Sequence, residues 1–171
     1  MATLVLTAIG EDRPGLVDVL SGIVTAHGGS WERSQMARLG GKFAGIVQVE
    51  LPDHRVAGLR QALGDLGEQG LLQVTVDGAG EAPALDGPRV WVTLMGSDHP
   101  GLVHAVSAVL ASVGASIEEL STVLRDSPMA GGLTFEAHAT VVLPSGVEPE
   151  DVREQLEALA SHLMVDISVT E

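Results

Sequence analysis

The sequence predicts an α+β protein: two copies of one unit, each a four-stranded antiparallel sheet with two helices on one face. Three observations lead there. The octet Gly10-Glu11-Asp12-Arg13-Pro14-Gly15-Leu16-Val17 returns 86 residues later as Gly96-Ser97-Asp98-His99-Pro100-Gly101-Leu102-Val103, about half of the 171-residue chain away. Each octet follows a short apolar run and opens an amphipathic one. In both halves the patterning spells strand, helix, strand, strand, helix, strand. That order folds most economically as an antiparallel sheet with both helices on one side.

In the first half, Thr3 to Ile9 reads as a buried strand. Pro14 suits the first helical position, where its fixed φ fits and a missing N–H costs nothing. Asp12 is placed to accept bonds from the first free N–H groups of that helix. Leu16, Leu20, Ile23, Val24 and His27 keep helical spacing, and Gly28-Gly29 stops the helix. Ser30 to Leu39 is the second strand, Gly40-Gly41 a tight hairpin turn, and Lys42 to Leu51 the third strand. Pro52 ends it and Asp53 caps the next helix, whose apolar face is Val56, Leu59, Leu63 and Leu66. Leu71 to Val76 is the fourth strand.

Residues 78–88, rich in Gly, Ala and Pro, read as a linker between a first domain at 1–77 and a second at 89–171. In the second half the strands are Arg89 to Met95, Ser116 to Arg125, Leu133 to Leu143 and Val165 to Val169. The first helix runs from Pro100 to Val113 and ends at Gly114. Asp126 to Gly132 forms a longer hairpin loop. Pro149 opens the last helix, with Val152, Leu156, Leu159 and Leu163 on its apolar face. Gly28, Ser30 and Glu32 match Gly114, Ser116 and Glu118. Leu51-Pro52 matches Leu143-Pro144 at an offset of 92, so the longer hairpin holds six extra residues. The strands are apolar on both parities, as in Leu4 and Leu6 against Val5 and Ile9, or Val90 and Val92 against Trp91 and Met95. A half-exposed strand would alternate. The sheet face without helices is therefore expected to be covered, by the other half, by another subunit, or by both.

Composition narrows the function. A net charge of −14 argues against a phosphate-facing nucleic-acid surface and against an anionic membrane surface. There is no cysteine, hence no thiol nucleophile, disulfide framework or Cys-based zinc site. Met1 runs almost directly into a strand, without a signal-peptide pattern, and no apolar run nears the ~20 residues of a membrane span. A cytoplasmic protein is expected. His27, His54, His99, His104, His138 and His162 show no metal-ligand spacing. His27, matching Val113, reads as a partly buried helix-end residue. Glu118 and Glu119 are adjacent on a strand and should point to opposite faces, which denies them joint acid–base work. No Gly-x-Ser-x-Gly elbow is present, and Gly-x-Asp-x-Pro-Gly lacks the middle glycine of the dinucleotide fingerprint. Neither catalysis nor a cofactor is expected.

Gly-x-Asp-x-Pro-Gly-Leu-Val between a first strand and a first helix resembles the ACT domain, a ferredoxin-like module that binds small molecules. Two such domains with little else resemble the glycine cleavage system transcriptional repressor family. Ser30 to Phe43, and Ser116 to Ser121 with the longer loop after them, are similar to that family's second strands and hairpins. The resemblance implies amino-acid binding at interfaces between domains, beside the first loop. It also implies regulation through contact with a separate DNA-binding activator. An accessory subunit of an amino-acid or one-carbon enzyme is the alternative, because a similar module precedes the catalytic domain of formyltetrahydrofolate hydrolases. A homo-oligomer is expected.

The candidate ligand residues are Asp12, Arg13, Pro14, Gly15 and Leu16 in the first loop, and Asp98, His99, Pro100, Gly101 and Leu102 in the second. A capped helix start by itself explains either turn. The binding reading adds that Gly15 and Gly101 leave the backbone open, that the helix N-terminus favours a carboxylate, and that Asp12 or Asp98 could receive an ammonium group. The loops differ, since Arg13 and Asp18 stand where the second half has His99 and His104. Equal binding at both is not expected. Glycine is the first candidate ligand.

Overall fold

The computed structural model describes residues 1–81, 85–129 and 131–171. It divides into two compact units, one on each side of residues 82–84. Those three residues of the expected linker, and Ala130 of the expected hairpin loop, lie outside the described residues.

The first unit runs β1 (Ala2–Glu11), α1 (Leu16–Ala26), β2 (Ser30–Leu39), β3 (Lys42–Leu51), a 3-10 turn (Asp53–Arg55), α2 (Val56–Glu68) and β4 (Gln73–Gly78). The second runs β5 (Arg89–Ser97), α3 (Leu102–Ser112), β6 (Ser116–Ser127), β7 (Gly132–Val142), α4 (Pro149–Leu163) and β8 (Asp166–Thr170). Both sheets are antiparallel, with orders β2-β3-β1-β4 and β6-β7-β5-β8. The predicted order of elements holds in both halves.

The core of the first unit lies between one sheet face and its helices. Leu4, Leu6 and Ala8 of β1 and Val47, Val49 and Leu51 of β3 meet Leu16, Leu20 and Val24 of α1 and Leu59, Leu63 and Leu66 of α2. In the second unit Val90, Val92 and Val141 meet Leu110, Val152 and Leu156. Leu94, Leu102, Ala137, Ala160 and Val165 extend that layer toward the loop end. Alternation places the other parity on the opposite face. There Ile9, Ile46, Trp91 and Met95 stay between 44% and 51% exposed. Both parities are apolar, as the sequence shows, and only one is buried within its own unit.

Three local expectations change. Asp12 does not cap α1: Gly15 is the N-cap, in the left-handed conformation at φ 87°, and no side chain bonds the free N–H groups. Pro14 accordingly precedes the helix instead of opening it. Asp53 does not cap α2 either. It begins the 3-10 turn and accepts a bond from the Met1 ammonium at 3.1 Å. β6 continues through Asp126 and Ser127, residues expected in the loop, because the β6–β7 ladder runs on to the Ser127–Gly132 pair.

Candidate functional site

Each candidate loop is built by the same local chemistry. Gly10 and Gly96 close the first strands where the chain passes the end of the unit's second helix. A Cβ on Gly10 would lie 2.5 Å from the Leu71 carbonyl oxygen, and one on Gly96 2.5 Å from Val165 Cγ1. Gly15 and Gly101 instead answer a conformational demand. Their φ values of 87° and 92° strain any side chain, although no atom lies within 4 Å of where a Cβ would be. The open space expected there is present, but the left-handed turn explains the glycine.

The loops are tied to their hairpins in the same way. Asp12 N–H donates to the Gly41 carbonyl at 2.9 Å, and Asp98 N–H to the Leu133 carbonyl at 3.1 Å. Asp12, Arg13, Pro14 and Gly15 are exposed, as are Asp98, Pro100 and Gly101. Leu16 and Leu102 are only 4% and 3% exposed and belong to the cores. Their side chains seat the helices, so only their backbones face the loops.

Beyond this frame the units diverge. In the first, the Asp12 carboxylate stands 3.7 Å from the Arg38 guanidinium, and Glu11 pairs with Lys42. Arg38 lies on β2 opposite Phe43, near the hairpin turn that holds Asp12. Trp31 packs against the core and donates from Nε1 to Ser34 Oγ at 3.1 Å. In the second unit the repeat places Leu124 at the position of Arg38, Leu120 at Ser34 and Ile117 at Trp31. His99 is half-buried, with Nε2 3.4 Å from the Leu163 carbonyl at the end of α4. The first loop thus carries paired opposite charges, while the second borders an apolar edge. Arg38 was absent from the predicted site. Only the register of the hairpin brings it to Asp12, and counting back from Gly40-Gly41 was the signal available.

The strand argument about Glu118 and Glu119 fails. A β-bulge sits between Ile117 and Glu119, as another does between Trp31 and Arg33. Bulges break alternation. Glu118 reaches Arg89 through two bonds of 2.9 and 3.0 Å, and Glu119 lies opposite Thr140 on that same sheet face. Together they raise the Arg89 pKa, the Glu118 bond foremost and its charge next, against a small opposing burial effect. On this face Glu136 also meets His138 at 2.7 Å and Arg125 at 3.1 Å. Those bonds, His138's first, hold its carboxyl below the usual range. Both groups serve ion pairing, and from Glu136 the contacts run on through His138, whose Nδ1 lies 3.4 Å from Thr93 Oγ1.

His27, the expected helix-end residue, is half-buried at the end of α1, with Nδ1 2.8 Å from the Ile23 carbonyl. Among the described residues no three His, Cys, Asp or Glu side chains converge as a metal site. No helix among them is long and apolar enough to cross a membrane.

Comparison with known proteins follows the same division. The ACT domain family model matches residues 2–77 and again 89–170. The glycine cleavage system transcriptional repressor of Escherichia coli is 25% identical over 169 residues, covering 97% of this chain and 88% of that protein. A crystal structure of a protein of unknown function from Galdieria sulphuraria superposes with a TM-score of 0.83 at 30% identity, over 99% of this chain and 98% of the other. Another solved structure, ascribed to a glycine cleavage system transcriptional repressor, gives a TM-score of 0.72 at 22% identity over 99% and 96% of the two chains. At that identity the likeness speaks for the fold.

Proposed function

The chain belongs to the ACT domain family, one domain in each half, and from that premise we propose that it is a non-catalytic regulator that binds a small amino acid beside the first loop and signals to a protein partner. The observation that carries the reading is the Asp12–Arg38 pair at 3.7 Å, next to the N-terminus of α1. An α-amino acid carries an ammonium and a carboxylate a few atoms apart. Asp12 offers an acceptor for the first. Arg38 and the uncapped N–H groups of α1 offer donors for the second. An exposed ion pair is worth only ~0–1 kcal/mol, so opening it to admit a zwitterion costs little. The second loop has Leu124 in place of Arg38 and lacks that carboxylate partner. One site per chain, in the first unit, follows.

Near full-length similarity to a glycine cleavage repressor makes glycine the first ligand to try and a DNA-binding activator the first partner to seek. The net charge of −14 fits action through a protein and not through DNA. A cytoplasmic location and self-association belong to the same reading. Ligand can shift the partner equilibrium only by binding two states of this chain unequally.

Titration calorimetry and thermal shift over a panel of amino acids test the sensor. We expect heat with a small amino acid, lost in Arg38→Ala and Asp12→Ala and retained in Leu124→Ala. Silence across the whole panel sinks the sensing claim. Affinity capture then separates the partner classes: a DNA-binding activator supports the repressor reading, and a metabolic enzyme replaces it with the accessory-subunit reading.

A further inference from the structure

The channel between the first helix and the second strand is filled differently in the two units. Beyond its bulge, β2 sets Ser34, Met36 and Arg38 opposite Val47, Gly45 and Phe43. Val47 is buried under the helices, and residues opposed across a ladder share a face. This row therefore faces the helices and leads inward from Arg38. Met36 lies close against β3: a Cβ on Gly45 would come within 2.6 Å of its Cγ. Trp31 packs against the same core, and its bond to Ser34 Oγ, 3.1 Å long, lays the indole along β2. Both side chains are half-buried. A rigid ring and a pliable thioether thus occupy the channel behind Arg38.

The second unit shows the channel without them. There the repeat puts Ile117 at the position of Trp31, Leu120 at Ser34 and Thr122 at Met36. A slot stays open between α3 and β6, lined by Leu102, Val103, Val106, Ile117, Leu120 and Phe135. Leu102, Val103 and Phe135 answer to Leu16, Val17 and Phe43, so the slot lies at the end of the unit that carries the loop. Leu120, larger than Ser34, lines the slot without closing it.

We propose that Trp31 and Met36 set the specificity of the first-loop site: they fill the channel that a ligand side chain would enter, and confine the ligand to amino acids with no more than a methyl or hydroxymethyl side chain. This filter rests on the first loop's being an amino-acid site. The Asp12–Arg38 pair, 3.7 Å apart, joins the loop ahead of α1 to β2 across the mouth of the channel. A zwitterion that takes both charges sits on that mouth. Its side chain then meets Met36 first, on the same face of β2 as Arg38, and Trp31 behind it. Glycine puts only hydrogen there. A longer side chain must displace packed atoms, and close-packed interiors yield little room.

Titration calorimetry of the intact chain with glycine, alanine, serine, valine and leucine tests the filter. Glycine is expected to bind, with alanine and serine following. Valine and leucine should bind at least about tenfold more weakly, since a methylene in a tight pocket changes affinity roughly 10–200-fold. The double variant Trp31→Ile with Met36→Thr, which gives the first channel the second unit's residues, should improve valine and leucine about tenfold relative to glycine. Thr122→Met, the reverse exchange in the second unit, should leave the ranking as it is. If the double variant loses its cooperative thermal unfolding, Met36→Ala alone removes the nearer obstacle and should admit valine. No heat with any of these amino acids ends the sensing reading and the filter together. Valine or leucine bound by the native chain as tightly as glycine, an unchanged ranking in the folded variants, or a ranking altered by Thr122→Met overturns the filter and leaves sensing standing.

Discussion

Met164 closes α4 at φ 54°, the one non-glycine residue with positive φ among those described, and it is 87% exposed. The first unit has Gly70 at that place, φ 71°. Leu71 N–H returns to the Leu66 carbonyl at 3.1 Å just as Val165 N–H returns to that of Ala160. A left-handed turn costs a side chain roughly 1–2 kcal/mol, and glycine gives back about 0.5–1 through its freer unfolded state. Met164→Gly is expected to stabilise the second unit by ~0.5–1 kcal/mol, read as a higher midpoint in thermal unfolding. A lower midpoint would show that the Met164 side chain holds something in place. Glu136 gives the pH counterpart. Its carboxyl is held below the usual range by His138 and then Arg125, so the folded state favours its ionised form. That contribution is complete above the ordinary carboxylate range and is lost as pH falls through the lowered value. Glu136→Gln should lose stability near neutral pH and show a shallower acid-unfolding slope than the native protein. Parallel slopes would refute this.

Among the described residues no α-helix has a side-chain N-cap; the positions are held by Gly15, Arg55, Gly101 and Glu148. Packing replaces capping, with Leu59 and Leu63 of α2 and Val152 and Leu156 of α4 fully buried. Glu148 already has extended geometry, φ −83° and ψ 140°, ahead of Pro149. Its side chain is one methylene too long for the usual cap bond. Glu148→Asp is expected to add about 1 kcal/mol through that bond, measured by urea unfolding. A loss of stability would mean that its present role lies elsewhere. The strands were legible from turn residues and periodicity: the bounds of β2 and β3 follow directly from Gly28-Gly29, Gly40-Gly41 and Pro52. The bulge residues Glu32 and Glu118 were not, because a bulge reflects how one strand meets its neighbour. Nothing in the local pattern Ser-Ile-Glu-Glu-Leu marks it.

Each unit carries its own core, so residues 1–81 and 85–171 expressed separately are expected to unfold cooperatively. Charge separates them. Residues 1–81 hold ten acidic and six basic side chains, and residues 85–171 thirteen and three. Self-repulsion should weigh more on the second, so its thermal midpoint should rise more with added salt. Equal salt responses, or failure of either piece to fold, would contradict this account.

The sequence by itself determined the duplication, the element order and the place of both Asp-x-Pro-Gly-Leu-Val turns. Those features rest on local chemistry: glycine and proline conformations, and apolar periods of two and 3.6. Tertiary structure decided what surrounds the turns. Strand register brings Arg38 beside Asp12, puts Leu124 at the equivalent place in the second unit, and sets Glu118 and Glu119 on one sheet face. These neighbours join residues far apart in the chain, and their contacts are set by a ladder in which one bulge reverses every side chain beyond it. Two turns nearly identical in sequence thereby acquire different surroundings, one charged and one apolar.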